Sequence, residues 1–171
     1  MKCITVLLST FLFINISAQE KFSNVEISDP KTLIINVKND SIYKSSKLSS
    51  GEIIKTGCDH GACYFRIEYK GRIVEECFGD FIDDLSIFEF DFGNDGDKEI
   101  IVVNDFDKTS YLFIYSYSRG IIEKLFEKEI LYYRTVINQE YIEYYLPSGL
   151  AQVWNFYQGR FWEMTQVEIK K

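Results

Sequence analysis

Short runs rich in Ile, Val, Tyr and Phe follow one another along the chain, with turn-forming residues between them. β-branched and aromatic side chains favour strands, and many short runs separated by turns are typical of an all-β domain. Segment 121–128 also has the spacing of a short helix, but the turn before it favours a strand, and residues 39–57 are the least clear. The predicted strands cover residues 32–37, 63–68, 72–77, 86–91, 99–104, 111–117, 121–126, 131–137, 141–146, 151–156 and 160–164.

Residues 1–18 have the pattern of a signal peptide. Lys2 precedes an apolar run from 4 to 16, and Ala18 ends a small-residue site suited to signal peptidase. The run is too short for a comfortable membrane span, and Cys3 lies before it, which does not fit a lipoprotein cysteine. We therefore expect cleavage near Ala18, a periplasmic or secreted location, and a single β-rich domain over residues 19–171.

The net charge of −7 restricts the partners that the protein can bind. Nucleic acids and anionic membrane surfaces attract basic patches, so neither is expected as a partner. No segment after the signal peptide approaches the length needed for membrane insertion. An acid excess suits a basic partner, although acidic surfaces also simply keep proteins soluble.

Cys58, Cys63 and Cys77 remain after the expected cleavage. An oxidising compartment favours one disulfide and leaves one free thiol. A three-residue turn with Gly71 in the left-handed region would place Cys63 opposite Cys77, whereas a two-residue turn would separate those two cysteines. The rival bridge, Cys58–Cys63, would close the small loop 59–62, and both pairings stay open.

A similar stretch recurs around Gly71, Gly120 and Gly159, at spacings of 49 and 39 residues. Residues 65–73 resemble 153–161, and 115–122 form a looser third copy. Such spacing is typical of propeller blades, each a small antiparallel sheet, although any antiparallel protein reuses tyrosine–glycine turns. Three units are too few to close a ring. We therefore predict antiparallel sheets arranged as a partial or vestigial β-propeller with hairpin repeats.

The stretch 91–99 places acidic residues, an amide and two glycines between two predicted strands. Ca²⁺ takes several oxygen ligands from one short loop, with a glycine where the chain turns sharply. Asp and Asn also occur in metal-free turns, because they hydrogen-bond their own backbone, but the order of residues here favours a structural calcium site. The candidate ligands are Asp91, Asn94, Asp95, Asp97 and Glu99.

Residues 90–102 resemble the calcium-loop signature of integrin-type FG-GAP and VCBS repeats, which reads Asp-x-Asn/Asp-x-Asp-Gly-x-x-Glu before an apolar strand. The resemblance implies that Asp91, Asp95 and Glu99 take the first, fifth and ninth places. It also implies that the carbonyl oxygen of Asp97 takes the seventh place and that Gly96 forms the turn.

Gly93 departs from this signature at the third place, where a side-chain ligand is expected, so Asn94 or a water molecule would have to replace it. Small exported proteins with a vestigial propeller and one such loop are similar to periplasmic lysozyme inhibitors and effector-immunity proteins. The resemblance therefore implies a binding protein for another exported protein, such as a basic cell-wall hydrolase that it would inhibit. The alternative is an FG-GAP/VCBS-like envelope adhesion or glycan-binding module.

Catalytic groups are sparse in the sequence. His60 is the single histidine of the chain, and with Cys58 and Cys63 it would supply three zinc ligands at most. Asp83 and Asp84 are adjacent and would point to opposite faces of a strand. We therefore expect no enzymatic activity. The aromatic residues near 154–162 are expected mostly in the core, with those on the outer face available to a partner.

Overall fold

The computed structural model describes residues 25–38, 43–59, 62–77, 84–106, 109–130 and 134–168. The predicted signal peptide with its cleavage site at Ala18 lies outside these residues, as do His60 and Asp83. The described residues form β-strands and one three-residue 3₁₀-helix, which confirms the all-β prediction.

The strands are numbered in chain order. Every predicted strand corresponds to an observed one within the described residues, with ends that differ by a few residues, and β1, β3 and β4 were not predicted. Residues 131–133 of the predicted strand 131–137 lie outside the described residues. Segment 121–128 lies in a strand, as preferred over a helix. The strands are β1 Val25–Ile27, β2 Lys31–Lys38, β3 Lys44–Lys47, β4 Ile53–Asp59, β5 Ala62–Tyr69, β6 Arg72–Cys77, β7 Asp84–Phe90, β8 Glu99–Phe106, β9 Thr109–Ser118, β10 Ile121–Ile130, β11 Thr135–Ile137, β12 Tyr141–Tyr145, β13 Leu150–Tyr157 and β14 Arg160–Glu168.

Three sheets follow one another along the chain, and each is built on four consecutive strands. The first sheet has the order β3-β4-β5-β6, the middle sheet β2-β7-β8-β9-β10, and the last sheet β1-β11-β12-β13-β14. All neighbouring strands are antiparallel except β1 and β11, which are parallel. The two N-terminal strands therefore extend the middle and last sheets at the edge where each four-strand unit begins.

The middle sheet is buried on both faces, and this explains its continuous apolar strands. In β8, Ile100 and Val102 pack in the core shared with the first sheet, whereas Ile101 and Val103 pack in the core shared with the last sheet. Successive residues of a strand point to opposite faces, so one run of four apolar residues serves both cores. The protein is thus a stack in which the outer faces belong to the first and last sheets.

The recurring glycine stretch forms the same hairpin in each sheet, between its last two strands. Lys70 and Gly71 have φ of 47° and 75°, and the pairs Arg119–Gly120 and Gln158–Gly159 have nearly the same values. Positive φ at both central residues is the type I′ geometry, which matches the twist of the flanking strands and favours Gly at the second position.

The register of the first hairpin shows which two cysteines form the disulfide. Its two-residue turn pairs Arg66 with Glu75 and places Cys77 opposite Tyr64. Cys63 instead lies opposite Cys58 on β4, and these two cysteines form the disulfide, with Cα atoms 4.0 Å apart. The alternative Cys63–Cys77 pairing is therefore wrong, and Cys77 is a free, exposed thiol.

Candidate functional site

The acidic loop 91–98 joins β7 to β8 at one end of the middle sheet. Its only fully buried side chain is Phe92, in the short 3₁₀-helix Phe92–Asn94. The Phe92 ring lies 4.8 Å from that of Phe90, 5.2 Å from Phe156 and 5.0 Å from Phe161, measured between ring centroids. This aromatic cluster anchors the loop between the middle and last sheets.

Two polar contacts hold the same loop against the turn between β11 and β12. The amide of Gly93 donates to the carbonyl oxygen of Gln139 at 2.6 Å, and the side-chain amide of Gln139 donates to Oδ1 of Asn94 at 3.4 Å. Gly93 has φ of 75°, a conformation that glycine adopts at little cost. The predicted ligand Asn94 thus contacts the turn between β11 and β12 of the last sheet. The positive φ at position 93 explains why a glycine stands there.

The carboxylates of Asp91 and Asp95 accept hydrogen bonds from the backbone of the loop. Asp91 accepts from the amides of Asp95, at 3.1 Å, and Gly96, at 3.2 Å, and Asp95 accepts from the amide of Asp97 at 3.0 Å. Side chains of this type favour turns for this reason. Asp97 is exposed at the tip of the loop.

Glu99, the first residue of β8, is the one buried carboxyl group among the candidate ligands. Its Oε2 accepts from the amide of Phe92 at 3.1 Å. The pKa of Glu99 is raised to about 7, mainly by burial and in smaller part by the negative charges of Asp95 and Asp91, against the opposing effect of the Phe92 hydrogen bond. The carboxyl groups of Asp95 and Asp91 thus lie close enough to Glu99 to disfavour its charged form.

These three residues match calcium by donor chemistry, because hard cations prefer carboxylate oxygens. Gly93 contributes no side chain at the third place, and Asn94 is engaged by Gln139. Over the described ranges of the chain, no three side chains of His, Cys, Asp or Glu are grouped so that they could hold a metal ion. Calcium binding at this loop therefore stays a proposal.

The outer face of the last sheet carries exposed apolar and aromatic side chains beside one ion pair, Glu26–Arg134. Val136, Val153 and Met164 lie in one cross-strand row, with Glu143 between the two valines. Trp162 lies in the next row, 58% exposed, and Met164 is 47% exposed. Nothing in the described part of the chain forms a further layer over this face.

The aromatic residues between 154 and 162 divide between the two faces. Trp154 is buried against Phe126, with ring centroids 5.3 Å apart, while Trp162 and Tyr157 are exposed. The ammonium group of Lys128 lies 4.7 Å from the centroid of the Trp154 ring. Burial lowers the pKa of Lys128, and the charge of Glu163 on β14 opposes that shift. Alternation of side chains along a strand explains why these aromatic residues lie on two faces. The sequence did not predict that the ammonium group of Lys128 would lie beside the Trp154 ring.

The outer face of the first sheet carries two ion pairs together with the exposed side chain of Ile73, which lies opposite Glu68. Lys55 donates to Glu68, and Arg66 donates to Glu75 on the adjacent strand. The guanidinium carbon of Arg66 also lies 3.9 Å from the centroid of the Tyr64 ring. Paired charged groups of this kind keep this part of the surface hydrophilic.

Comparisons with protein-family models, with curated proteins and with solved structures return no match for this chain. No helix in the described residues is both long and apolar enough to traverse a membrane. The geometry of the loop and of the two outer faces is therefore the basis for the function proposed below.

Proposed function

We propose that the chain is an exported binding protein without catalytic activity, which recognises another exported protein through the outer face of its last sheet. The observation that carries this proposal is the exposure of Trp162, Met164 and Tyr157, at 58%, 47% and 65%, on one uncovered side of that sheet. Trp and Tyr are enriched among the residues that dominate binding energies, and Met adapts to irregular partner surfaces.

The partner in this proposal is a basic cell-wall hydrolase, and the protein acts as its inhibitor or immunity protein. The net charge of −7 supports a basic partner, because complementary charge accelerates association and suppresses wrong partners. The chain has a single histidine, and the acidic loop is a turn between β7 and β8. Both observations support a binding role and not a catalytic one.

The three sheets correspond, in this proposal, to three blades of a vestigial β-propeller. Two features support the correspondence: each sheet is built on four consecutive antiparallel strands, and each ends in the same type I′ hairpin. Propeller blades are four-stranded sheets. The acidic loop then occupies the turn between the first two strands of the middle blade.

A calcium ion would stabilise that turn by drawing together Asp91, Asp95 and Glu99, whose like charges repel one another in its absence. A ligand that binds only the folded state raises the melting temperature with saturation. We expect millimolar Ca²⁺ to raise Tm relative to EDTA, and Asp95→Ala to remove most of that rise. Glu140→Ala, an exposed acid in the corresponding turn of the last sheet, is the control. Equal melting curves in Ca²⁺ and EDTA for the parent protein would refute the metal site.

The partner is tested by affinity capture from cell-envelope extract at low and physiological salt. We expect a basic hydrolase to be retained, with faster association at low salt because charges are screened over about 8 Å at physiological ionic strength. Addition of the purified protein should then reduce cell-wall hydrolysis. Recovery of glycan alone would instead support the adhesion module, and substrate turnover by the protein itself would overturn both.

A further inference from the structure

The three cysteines within the described residues lie on three neighbouring strands of the first sheet, β4, β5 and β6. Cys58 and Cys63 are opposite one another and form the disulfide. Cys77 is opposite Tyr64, so one residue of register separates it from Cys63. Because adjacent residues of a strand point to opposite faces, Cys63 faces the core, 1% exposed, while Cys77 faces outward as a free thiol.

The register of β6 is weakly specified by its sequence. Among the described strands, β6 is paired with β5 alone, so a slip would break and re-form a single ladder. A register is strongly specified where one face of the strand is buried and apolar and the other is polar. Val74 and Glu76 lie opposite buried residues of β5, whereas Ile73 and Glu75 lie on the outer face. Each face of β6 therefore carries one β-branched residue and one glutamate.

A slip by one residue would relieve two unfavourable features of the first hairpin. Ile73 is 64% exposed, and after the slip it would lie opposite Ile67, which is fully buried. Lys70 has φ of 47°, a left-handed conformation that is unfavourable for a residue with a side chain, whereas a three-residue turn requires it of Gly71 alone. Val74 would move to the outer face and the two glutamates would exchange faces, so each face would keep its composition.

The same slip would place Cys77 directly opposite Cys63 and turn its thiol to the core face. Residues directly opposite one another in an antiparallel pair have Cα atoms about 4.5–5.5 Å apart, which is within the range that a disulfide spans. Cys58 lies on the far side of β5, and two strand spacings are about 9–10 Å, which is too far for a bridge to β6. Cys63 is therefore the sulfur that Cys77 can attack.

We propose that β6 has two registers and that a thiol–disulfide exchange locks it in the second one. The thiolate of Cys77 attacks Sγ of Cys63, the bond between Cys63 and Cys58 breaks, and Cys58 leaves as a thiolate that takes up the proton lost by Cys77. One disulfide is present before and after, so no oxidant or reductant is consumed. The bridge then joins β5 to β6 in place of β4 to β5, and Ile73 leaves the outer face of the first sheet. This switch does not depend on the partner proposed above.

Non-reducing peptide mapping tests the exchange in the parent protein. The protein is held at pH 8 without oxidant or reductant, its free thiols are alkylated, and the monomer is isolated and digested with trypsin. Trypsin leaves Cys58 and Cys63 together in peptide 56–66 and Cys77 in peptide 73–98. We expect the internally bridged peptide 56–66 together with a cross-linked pair of the two peptides in which Cys58 is alkylated. Absence of that pair, or a pair in which Cys63 is alkylated, would overturn the exchange.

Two cysteine variants test the register itself. Cys58→Ser should form the Cys63–Cys77 bridge when it is oxidised in air, and cross-strand NMR contacts should then place Ile73 opposite Ile67. Cys77→Ser, the control, should keep the bridge and the register described here. A bridged Cys58→Ser variant in which Cys77 still lies opposite Tyr64, or one whose two thiols stay free after oxidation, would overturn the second register. Peptide mapping of the parent protein decides the question even if Cys58→Ser does not fold.

A variant of the turn links the exchange to the change of register. Asn-Gly is the preferred type I′ sequence, and Asn adopts the left-handed region several-fold more often than most residues. Lys70→Asn should therefore hold the two-residue turn and lower the yield of the cross-linked pair several-fold. Gln158→Asn makes the same change in the hairpin of the last sheet, where φ is 51°, and should leave the yield unchanged. An equal yield from Lys70→Asn and the parent protein would overturn the coupling of turn and bridge.

Discussion

The first and last sheets flank the middle sheet in the same way, yet their outer faces differ in chemistry. The first sheet presents the ion pairs Lys55–Glu68 and Arg66–Glu75 and the exposed Ile73. The last sheet presents the ion pair Glu26–Arg134 together with the exposed Trp162 and Met164. Repeated architecture therefore does not predict which large side chains a sheet exposes. Of these two sheets, the last one exposes a tryptophan, and the proposed partner surface depends on that difference.

The acidic loop contributes to this asymmetry, because it is anchored on the side of the last sheet. Phe92→Ala should destabilise the protein by about 3–5 kcal/mol, as expected for truncation of a buried Phe, and should speed amide exchange in the loop and in the turn 138–140. Phe92→Leu, which keeps most of the volume, should cost less than about 1.5 kcal/mol. Chemical denaturation measures both values, and a loss below about 1 kcal/mol for the alanine variant would contradict the anchoring role.

Glu99 makes the same side of the molecule sensitive to pH. Its pKa is raised from 4.5 to about 7 in the folded protein, so the folded state binds the proton more tightly than the unfolded state. The free energy of unfolding should therefore fall as pH rises from 4.5 to 7, by at most about 3.5 kcal/mol at about 1.4 kcal/mol per pKa unit. This loss of stability is complete above about pH 7 and absent below about pH 4.5.

Glu99→Gln should remove this dependence and should stabilise the protein at pH 8 in EDTA. Its matched control is Glu140→Gln, an exposed acid on the adjacent turn. Urea denaturation at pH 5 and pH 8 measures the difference. A parent protein that is more stable at pH 8 than at pH 5, with Glu99→Gln unchanged from it, would show that the buried carboxyl does not titrate in this range.

The outer face of the last sheet should carry the binding energy. Trp162→Ala is expected to weaken the captured partner by about 2 kcal/mol, or roughly 30-fold, as for a hot-spot residue, with little change in Tm. Ile121→Ala removes a side chain that is more exposed than Trp162, at 70% against 58%, but on the edge of the middle sheet, and this variant should bind normally. Titration calorimetry of both variants measures the contrast, and equal losses would place the interface elsewhere.

The sequence predicted the strands well, because most of them have strong β-forming residues and turns between them. It did not predict β3, whose sequence Lys-Ser-Ser-Lys lacks apolar alternation and depends on pairing with β4. The recurring tyrosine–glycine turns correctly marked the hairpin that ends each sheet. The disulfide could not be chosen from the sequence, since turns of two and three residues differ by one step of register, which moves Cys77 to the other face.

The candidate site was predictable only in part for a similar reason. The order of acids around Gly96 marked the loop, but the burial of Glu99 and the contact of Asn94 with Gln139 depend on a sheet that is distant in sequence. The two outer faces could not be predicted either. Alternation along a strand shows which residues share a face, but it does not show whether another sheet covers that face.

The ion pairs on the outer face of the first sheet should contribute little to stability and nothing to partner binding, in contrast to Trp162 on the last sheet. Arg66 and Glu75 are each more than one-third exposed, and exposed pairs are worth about 0.2–1 kcal/mol because solvent screens them and ordering long side chains costs entropy. A double-mutant cycle with Arg66→Gln and Glu75→Gln should give a coupling energy in this range, falling further in 0.5 M NaCl. Partner affinity should not change in any of the three variants. A loss of partner binding with this pair, and not with Trp162→Ala, would reverse the assignment of the two faces and make the charged sheet the recognition surface.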